Sequence, residues 1–142
     1  MIEINLYNNS ILSIDCDSIQ NLSNLVLNDH GYLSGNINII ITDDESLREM
    51  KLEFFNEDVF TDVIAFNLEQ DPFEGEIYIS SDRVEDNAKI YKQRFEDELK
   101  RVIIHGLLHL CGHKDSTTSE KENMNLLEDK FLSQFIHPVI EI

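Results

Sequence analysis

The stretch "HGLLHLCGHKD", from His105 to Asp115, has the pattern H-x-x-x-H-x-x-G-x-x-D. On a helix, histidines four residues apart lie on one face, one turn apart, so both imidazoles can bind one ion. Gly112 follows at a position where a left-handed residue often ends a helix and turns the chain back. We therefore predict a zincin-like metal helix and one zinc ion held by His105, His109 and Asp115. Three such ligands leave a coordination position open, which is typical of catalytic zinc.

The third ligand has one alternative. His113 directly follows the glycine, so it can bind in place of Asp115, or it can be a solvent-facing loop residue. We prefer Asp115 because it lies six residues beyond His109, the offset of the third ligand in zinc proteases. His30 and His137 have no partner that the sequence identifies, and a loop role is the default for each.

Gly106 stands where the zinc-protease pattern H-E-x-x-H has its catalytic glutamate. That glutamate takes a proton from metal-bound water during amide cleavage, and glycine cannot do so. A phosphodiester depends less on such a base, because a metal can stabilise both the leaving alkoxide and the phosphoryl charge. An RNA strand also carries its own nucleophile, the 2′-hydroxyl. The pattern thus favours phosphoesters over peptides, and a metallopeptidase is the least favoured reading.

Hydrophobic patterning predicts an α+β fold, with a small mixed sheet of about four strands packed with helices. The segment "IEINLYN" alternates as a strand does, and "NINIIITDD" is so continuously apolar that we expect a central strand. Two further strands are predicted at "TDVIAFNL" and "GEIYISS", separated by a turn that Pro72 and Gly75 mark.

Helices are predicted over "SIQNLSNLVLNDHG" and "DDESLREMKLEFF", and from Asp82 to Cys111. An unbroken helix over the last range would be ~45 Å long, so we expect a break near Gln93 or Arg94. Ser119 and Glu122 match a capping box for a final helix that runs through residue 135.

The length of 142 residues predicts a single domain over 1–142. The net charge of −17 favours solubility and repels polyanions over most of the surface. Basic residues are concentrated in one part of the chain, where they form either a solvated helix face or a local basic patch. Six of the eleven lie between positions 83 and 101: Arg83, Lys89, Lys92, Arg94, Lys100 and Arg101.

The two cysteines, Cys16 and Cys111, are far apart, which implies no disulfide framework and suits a reducing compartment. Cys111 lies about 200° around the helix from His109, so it is predicted to be a small buried side chain rather than a ligand. The N-terminus does not match a signal peptide, and no run approaches the ~18 apolar residues of a membrane span. We expect a cytoplasmic protein without a membrane partner.

The motif "HGLLHLCGHKD" resembles the H-G-x-L-H-L-x-G-Y-D-H motif of the YbeY endoribonucleases. "TDDESLREMKLEFFNEDVFTDVIAFNLE" resembles the family segment that ends in P-T-D-V-L-S-F, and "GEIYIS" is similar to the family strand G-D-I-x-I-S. The resemblance implies an α+β fold and a zinc-dependent endoribonuclease that cuts single-stranded RNA in rRNA maturation and ribosome quality control. It also implies rRNA precursor as substrate, and ribosomal proteins or the small ribosomal subunit as partners.

Several positions depart from the family motifs. The family's third ligand is usually His, and Asp115 occupies that position. Phe55 occupies the position of a family Arg that precedes the T-D-V motif, so Arg101 or Lys114 would have to supply its charge. We name Arg101, Thr61 and Asp62 as candidate helpers of a nucleophile that is either metal-bound water or the substrate hydroxyl. The alternative function is a ribosome-associated assembly protein whose metal is mainly structural.

Overall fold

The computed structural model describes residues 1–141, and within them the chain forms four strands and five helices in an α+β arrangement, as predicted. The amphipathic periods of the sequence set the type of each element. In chain order the elements are β1 (Ile2–Asn8), α1 (Cys16–Asp29), β2 (Gly35–Thr42), α2 (Asp44–Phe55), β3 (Val63–Gln70), β4 (Phe73–Ser80), α3 (Ser81–Ile90), α4 (Phe95–Leu110) and α5 (Thr118–Gln134).

The four strands form one mixed sheet in the order β1-β2-β4-β3. β1, β2 and β4 are parallel, whereas β3 runs antiparallel to β4 and forms an edge. β2 is central, which confirms the prediction from its apolar run. Ile37, Ile39 and Ile41 on alternate positions of β2 are fully buried, so one face of the sheet forms the core. Helices α1 and α4 pack on the sheet and on each other.

Two glycines allow helix α4 to lie close to the sheet. A Cβ atom on Gly106 would be 2.8 Å from Cγ2 of Ile77 and 3.1 Å from Cγ2 of Val63. A Cβ atom on Gly75 of β4 would be 2.9 Å from Cδ1 of Leu110. Gly106 is thus required by packing, and any larger side chain there would point into the sheet.

The turn between β3 and β4 differs from the prediction. Asp71 and Pro72 alone connect the two strands, and proline fits because it cannot donate to a sheet ladder. Gly75 lies inside β4, where it pairs with Ile37 and Asn67, so the prediction that it marks the turn is wrong. Because Gly75 has no side chain, Leu110 of α4 can pack closely against β4.

The predicted break between α3 and α4 is confirmed. Tyr91 caps the end of α3, Lys92 adopts a left-handed conformation with φ of 56°, and Arg94 precedes the first turn of α4. Of the helices that the structure describes, none has the length and apolar character needed to cross a membrane.

The capping box of the last helix is made by a different pair from the one predicted. Thr117 Oγ1 accepts the backbone N–H of Glu120 at 3.1 Å, and the Glu120 carboxylate accepts the N–H of Thr117 at 2.9 Å. Ser119 and Glu122 have the same spacing but lie inside α5, so that prediction is wrong. The earlier pair is used because it stands at the chain reversal, where the first helical N–H groups need acceptors.

Four of the six clustered basic residues are held by acceptors within the protein. Arg83 pairs with Asp44 at 2.8 Å, and Lys89 lies 3.4 Å from Glu85. The third of these four is Lys100, which is buried and donates to the carbonyl of Phe135. The fourth is Arg101, which pairs with Glu128 and Asp129. These contacts offset four of the six clustered positive charges, which disfavours the alternative of a local basic patch.

Candidate metal centre

The two motif histidines and the acid beyond the helix come together at the end of α4. The Nε2 atoms of His105 and His109 are 2.9 Å apart. Oδ2 of Asp115 lies 3.2 Å from Nε2 of His105 and 3.4 Å from Nε2 of His109. Gly112, with φ of 97°, ends the helix in the left-handed region and directs the chain back, as the sequence predicted.

The opposite nitrogen of each ring is engaged by an acceptor. Nδ1 of His105 lies 2.6 Å from the carboxylate of Glu128, and Nδ1 of His109 lies 2.9 Å from the backbone carbonyl of His113. A carbonyl oxygen can only accept, so the His109 ring carries its proton on Nδ1. The same tautomer at His105 satisfies Glu128. Each ring therefore presents a lone pair on Nε2.

Three electron-pair donors thus converge on one point, an arrangement that repels unless a cation or a proton lies between them. In a tetrahedral zinc site with bonds of 2.0–2.1 Å, neighbouring ligand atoms are about 3.3 Å apart. The three separations of 2.9, 3.2 and 3.4 Å are close to that value. The donor set of His105, His109 and Asp115 therefore fits one metal ion of the zinc type.

The charges around His105 also favour a cation. Burial disfavours the charged imidazole, but the hydrogen bond and charge of Glu128, with the charges of Asp115 and Asp62, raise the pKa of His105 above its ordinary value. The same carboxylates that stabilise a proton on this ring would stabilise a bound metal ion, and the two compete for Nε2.

Glu128 is a site residue that the sequence analysis missed. Its side chain is only 3% exposed, and Oε1 accepts from Nη1 of Arg101 at 2.8 Å while Oε2 faces His105. A carboxylate that receives the second ring nitrogen of a metal-binding His fixes the tautomer and orientation of that ring. The one signal for Glu128 in the sequence was its helical spacing from the apolar residues Met124 and Phe131, which places it on the same face of α5. A charged residue on a buried face requires a partner.

Arg101 does not line the cavity that holds all three donors, but it lines a neighbouring one together with His105 and Asp62. Its guanidinium donates to Glu128 and, at 2.7 Å, to Oδ1 of Asp129. Arg101 does not pair with Glu98, three residues earlier on α4, because the chain reversal brings α5 within reach and offers two carboxylates in place of one. Arg101 thus acts on the carboxylate that holds His105.

His30 and His113 form a pair that the sequence analysis did not predict. Nδ1 of His30 lies 2.8 Å from the carbonyl of Val26, and its Nε2 lies 2.8 Å from Nε2 of His113. The His113 side chain therefore points to the end of α1, while its backbone carbonyl holds His109. His30 lies in the turn after α1, which agrees with the loop role expected for it, but it has a partner that the sequence did not identify. The solvent-facing alternative for His113 is wrong. His137 is exposed and contacts Phe135.

Thr61 and Asp62, the two candidate helpers at the start of β3, line the cavity beside the cluster. The Asp62 carboxylate accepts from Asn87 Nδ2 at 3.0 Å, and its backbone carbonyl accepts from the N–H of Ser80 at 2.9 Å. Burial raises the pKa of Asp62 above its usual value. Asp62 both supports the start of β3 and places a carboxyl group near His105.

Cys111 is half-buried at the end of α4, and burial raises the pKa of its thiol to about 12. A thiol with that pKa stays protonated at neutral pH, whereas metal ligation requires the thiolate. This agrees with its assignment as a small packed side chain.

The cavity has a volume of about 490 Å³, within the range of ligand-binding pockets. We call the side formed by α4 and the chain after it the metal wall; it carries His105, His109, Lys114 and Asp115. A second part of the lining comes from the end of α2 and the start of β3, and we call it the aromatic wall. Its lining includes Lys51, Phe55, Thr61, Asp62 and Ala65.

Comparison with known proteins identifies the family. Residues 5–136 match the family model described as Endoribonuclease YbeY. The chain is 38% identical over 136 residues to the endoribonuclease YbeY of Christiangramia forsetii, with 94% of each chain covered. It is 35% identical over 135 residues to that of Chlorobaculum tepidum, which covers 94% of this chain and 98% of the relative. The solution structure of the Thermotoga maritima protein TM1509 matches with a TM-score of 0.61 and 27% identity, over 96% of this chain and 92% of that one. The chain therefore belongs to the YbeY endoribonuclease family.

Proposed function

We propose that this chain is a single-domain, zinc-dependent endoribonuclease that cuts single-stranded RNA during rRNA maturation and ribosome quality control in the cytoplasm. His105, His109 and Asp115 are the proposed ligands of one Zn²⁺. The observation that carries the proposal is the convergence of two imidazole Nε2 atoms and one carboxylate oxygen at the side of an open cavity. Family membership supplies the reaction class, because the relatives are named endoribonucleases.

A zinc ion in such a site supplies Lewis-acid stabilisation of the charge that develops on a phosphoryl group and its leaving oxygen. The chain's own residues orient the site. Glu128 and the His113 carbonyl fix the two imidazole rings, and Arg101 fixes Glu128. These groups are in place before substrate binds, so little reorganisation is needed during the reaction.

The cavity can also attract an anionic strand to an acidic protein. Lys51 and Lys114 offset the charges of Asp62 and Asp115 in its lining, so a bound divalent cation leaves a local positive charge. The net charge of the whole chain, −17, would slow the approach of RNA. Delivery by a ribosomal protein or by the small ribosomal subunit would overcome this repulsion, and we propose such a partner.

The acidic surface also favours the second candidate, a ribosome-assembly protein whose metal is structural. A structural zinc ion is closed by four protein ligands, whereas this site offers three beside an open cavity, which favours catalysis. A metallopeptidase is disfavoured because Gly106 faces Ile77 and Val63 in the sheet and leaves no room for a base at that position, so its base would have to lie elsewhere in the fold.

The test is cleavage of end-labelled single-stranded rRNA by purified protein, with and without a chelator, beside the variants His109→Ala and His137→Ala. We expect cutting by the wild type and by His137→Ala, and loss of cutting with chelator or in His109→Ala. The control replaces an exposed histidine outside the cluster. Equal cutting by His109→Ala would overturn the proposal. Product ends with a 2′,3′-cyclic phosphate would identify the substrate hydroxyl as nucleophile.

A further inference from the structure

Phe55 is an exposed aromatic residue in the cavity that holds the metal-binding cluster. It is the last residue of α2, its side chain is 44% exposed, and its ring lines the aromatic wall. Large apolar side chains lose stabilisation when they are left in water, so the fold gains little from this ring. The ring is therefore available to a ligand that enters the cavity.

Contacts with other aromatic side chains fix the orientation of the Phe55 ring. Phe55 stacks on Phe66 with centroids 6.0 Å apart and planes 13° apart, and Phe66 meets Tyr78 edge-on at the same centroid distance. Along β3, side chains alternate between faces, so Phe66 points away from α4. The Phe55 ring thus extends past the edge strand β3 to the cavity, and the rings of Phe66 and Tyr78 support it.

A positive charge accompanies the ring. Nζ of Lys51 lies 4.6 Å from the centroid of Phe55 and 3.7 Å from a carboxylate oxygen of Glu57. The two partners of Lys51 are both exposed, and cation–π contacts and ion pairs with exposed groups are weak, so the ammonium group can move to a stronger anion at little cost. Lys114 offers a second positive charge on the metal wall.

We infer that Phe55 is a stacking subsite for an unpaired nucleobase, and that Lys51 moves from the ring to a neighbouring phosphate of the same strand. The inference rests on the proposed function and adds to it how a single strand is held. The cavity combines an aromatic face, two lysines and the candidate metal ligands, so an occupant that carries both a flat π surface and an anionic group suits it best. Stacking of bases on aromatic side chains together with backbone contacts is how single strands are bound without strict sequence preference.

The selection of single strands follows from this arrangement. A base in a duplex is stacked and paired on its own strand, so its face is not free for Phe55. An unpaired base can swing out and cover the ring while its phosphate approaches the metal wall. The aromatic wall thus selects for unpaired RNA, and the metal wall contributes no such selection.

Phe54 provides a matched control on the same helix. It is also exposed, at 59%, and also contacts Phe66, edge-on at 5.5 Å. It does not belong to the lining of the cavity. Replacing either ring by alanine removes a similar exposed aromatic group, but only Phe55→Ala removes one that faces the cavity.

The experiment measures binding of metal-loaded protein to two labelled strands by fluorescence anisotropy. One is a single-stranded oligoribonucleotide of mixed sequence with 2′-O-methyl riboses, and the other is an abasic strand of the same length. We expect Phe55→Ala to weaken binding of the base-containing strand by about 5- to 100-fold and to leave the abasic strand unaffected. Phe54→Ala should leave both unchanged, and Phe55→Tyr should retain most of the affinity. Lys51→Ala should weaken both strands to the same extent.

The outcomes separate this inference from the proposed function. If the wild type binds and cuts RNA, and Phe55→Ala binds the base-containing strand as tightly as the wild type does, the stacking subsite is refuted and the proposed function stands. An equal loss on both strands would assign Phe55 a structural role and would also refute the subsite. If the wild type neither binds nor cuts single-stranded RNA, the proposed function fails and the subsite fails with it; the aromatic wall would then be a surface for a protein partner.

Discussion

The metal wall and the aromatic wall of the cavity are built in opposite ways. On the metal wall, each imidazole has its second nitrogen engaged, and Glu128 behind it is 3% exposed. On the aromatic wall, Phe55 is 44% exposed and Lys51 is held by weak contacts. A site that positions an ion needs rigid donors, whereas a site that receives a flexible strand needs accessible and mobile groups. The difference indicates that affinity for metal and affinity for RNA can be changed separately.

The largest effect is expected from Glu128→Gln on the metal wall. Glutamine keeps the shape but loses the charge that stabilises a cation on His105, so we expect zinc affinity to fall by about 10- to 100-fold. Competition with a chromophoric zinc chelator measures this without any use of enzyme activity. Asp129→Asn is the matched control, because Asp129 also pairs with Arg101 but is exposed and does not contact His105. Similar losses in the two variants would mean that Glu128 acts only through Arg101.

An intermediate effect is expected from Gly106→Ala, which tests the packing behind the metal wall. Alanine favours the helix by up to about 1 kcal/mol over glycine, but overpacking a core costs about 1–3 kcal/mol. The methyl group would meet the stiff branched side chains of Ile77 and Val63 at 2.8 and 3.1 Å. We therefore expect a net loss of about 1 kcal/mol in the free energy of unfolding. Urea denaturation of metal-free protein measures it, and a gain in stability would show that the helix can move away from the sheet.

The smallest effect on stability is expected on the aromatic wall. Phe55→Ala and Phe54→Ala each remove an exposed ring and one aromatic contact, so each should lower the free energy of unfolding by about 1 kcal/mol or less. The same urea titrations measure both. A much larger loss in Phe55→Ala would mean that its ring belongs to the fold, and the comparison between the two walls would not hold.

The local patterns of the sequence were sufficient for the fold class and the position of the metal helix. Period-two and period-3.6 patterns gave the strands and helices because they report which face of an element is buried. The two candidate capping pairs near the start of α5 show what local patterns cannot determine, which is the residue at which the helix begins. Thr117 with Glu120 and Ser119 with Glu122 have identical spacing, and only the position of the chain reversal selects the first.

The sequence by itself determined that His105 and His109 share a helix face and that Asp115 follows a glycine at the helix end. Their convergence is local, because it depends on helical geometry and one reversal of the chain. That they bind zinc stays a prediction. Only the tertiary structure decided that Glu128 holds His105, that His113 turns toward His30, and that Phe55 and Lys51 line the same cavity as the cluster. Those contacts join segments far apart in the chain, so they depend on how the layers pack and not on the spacing of residues within any one segment.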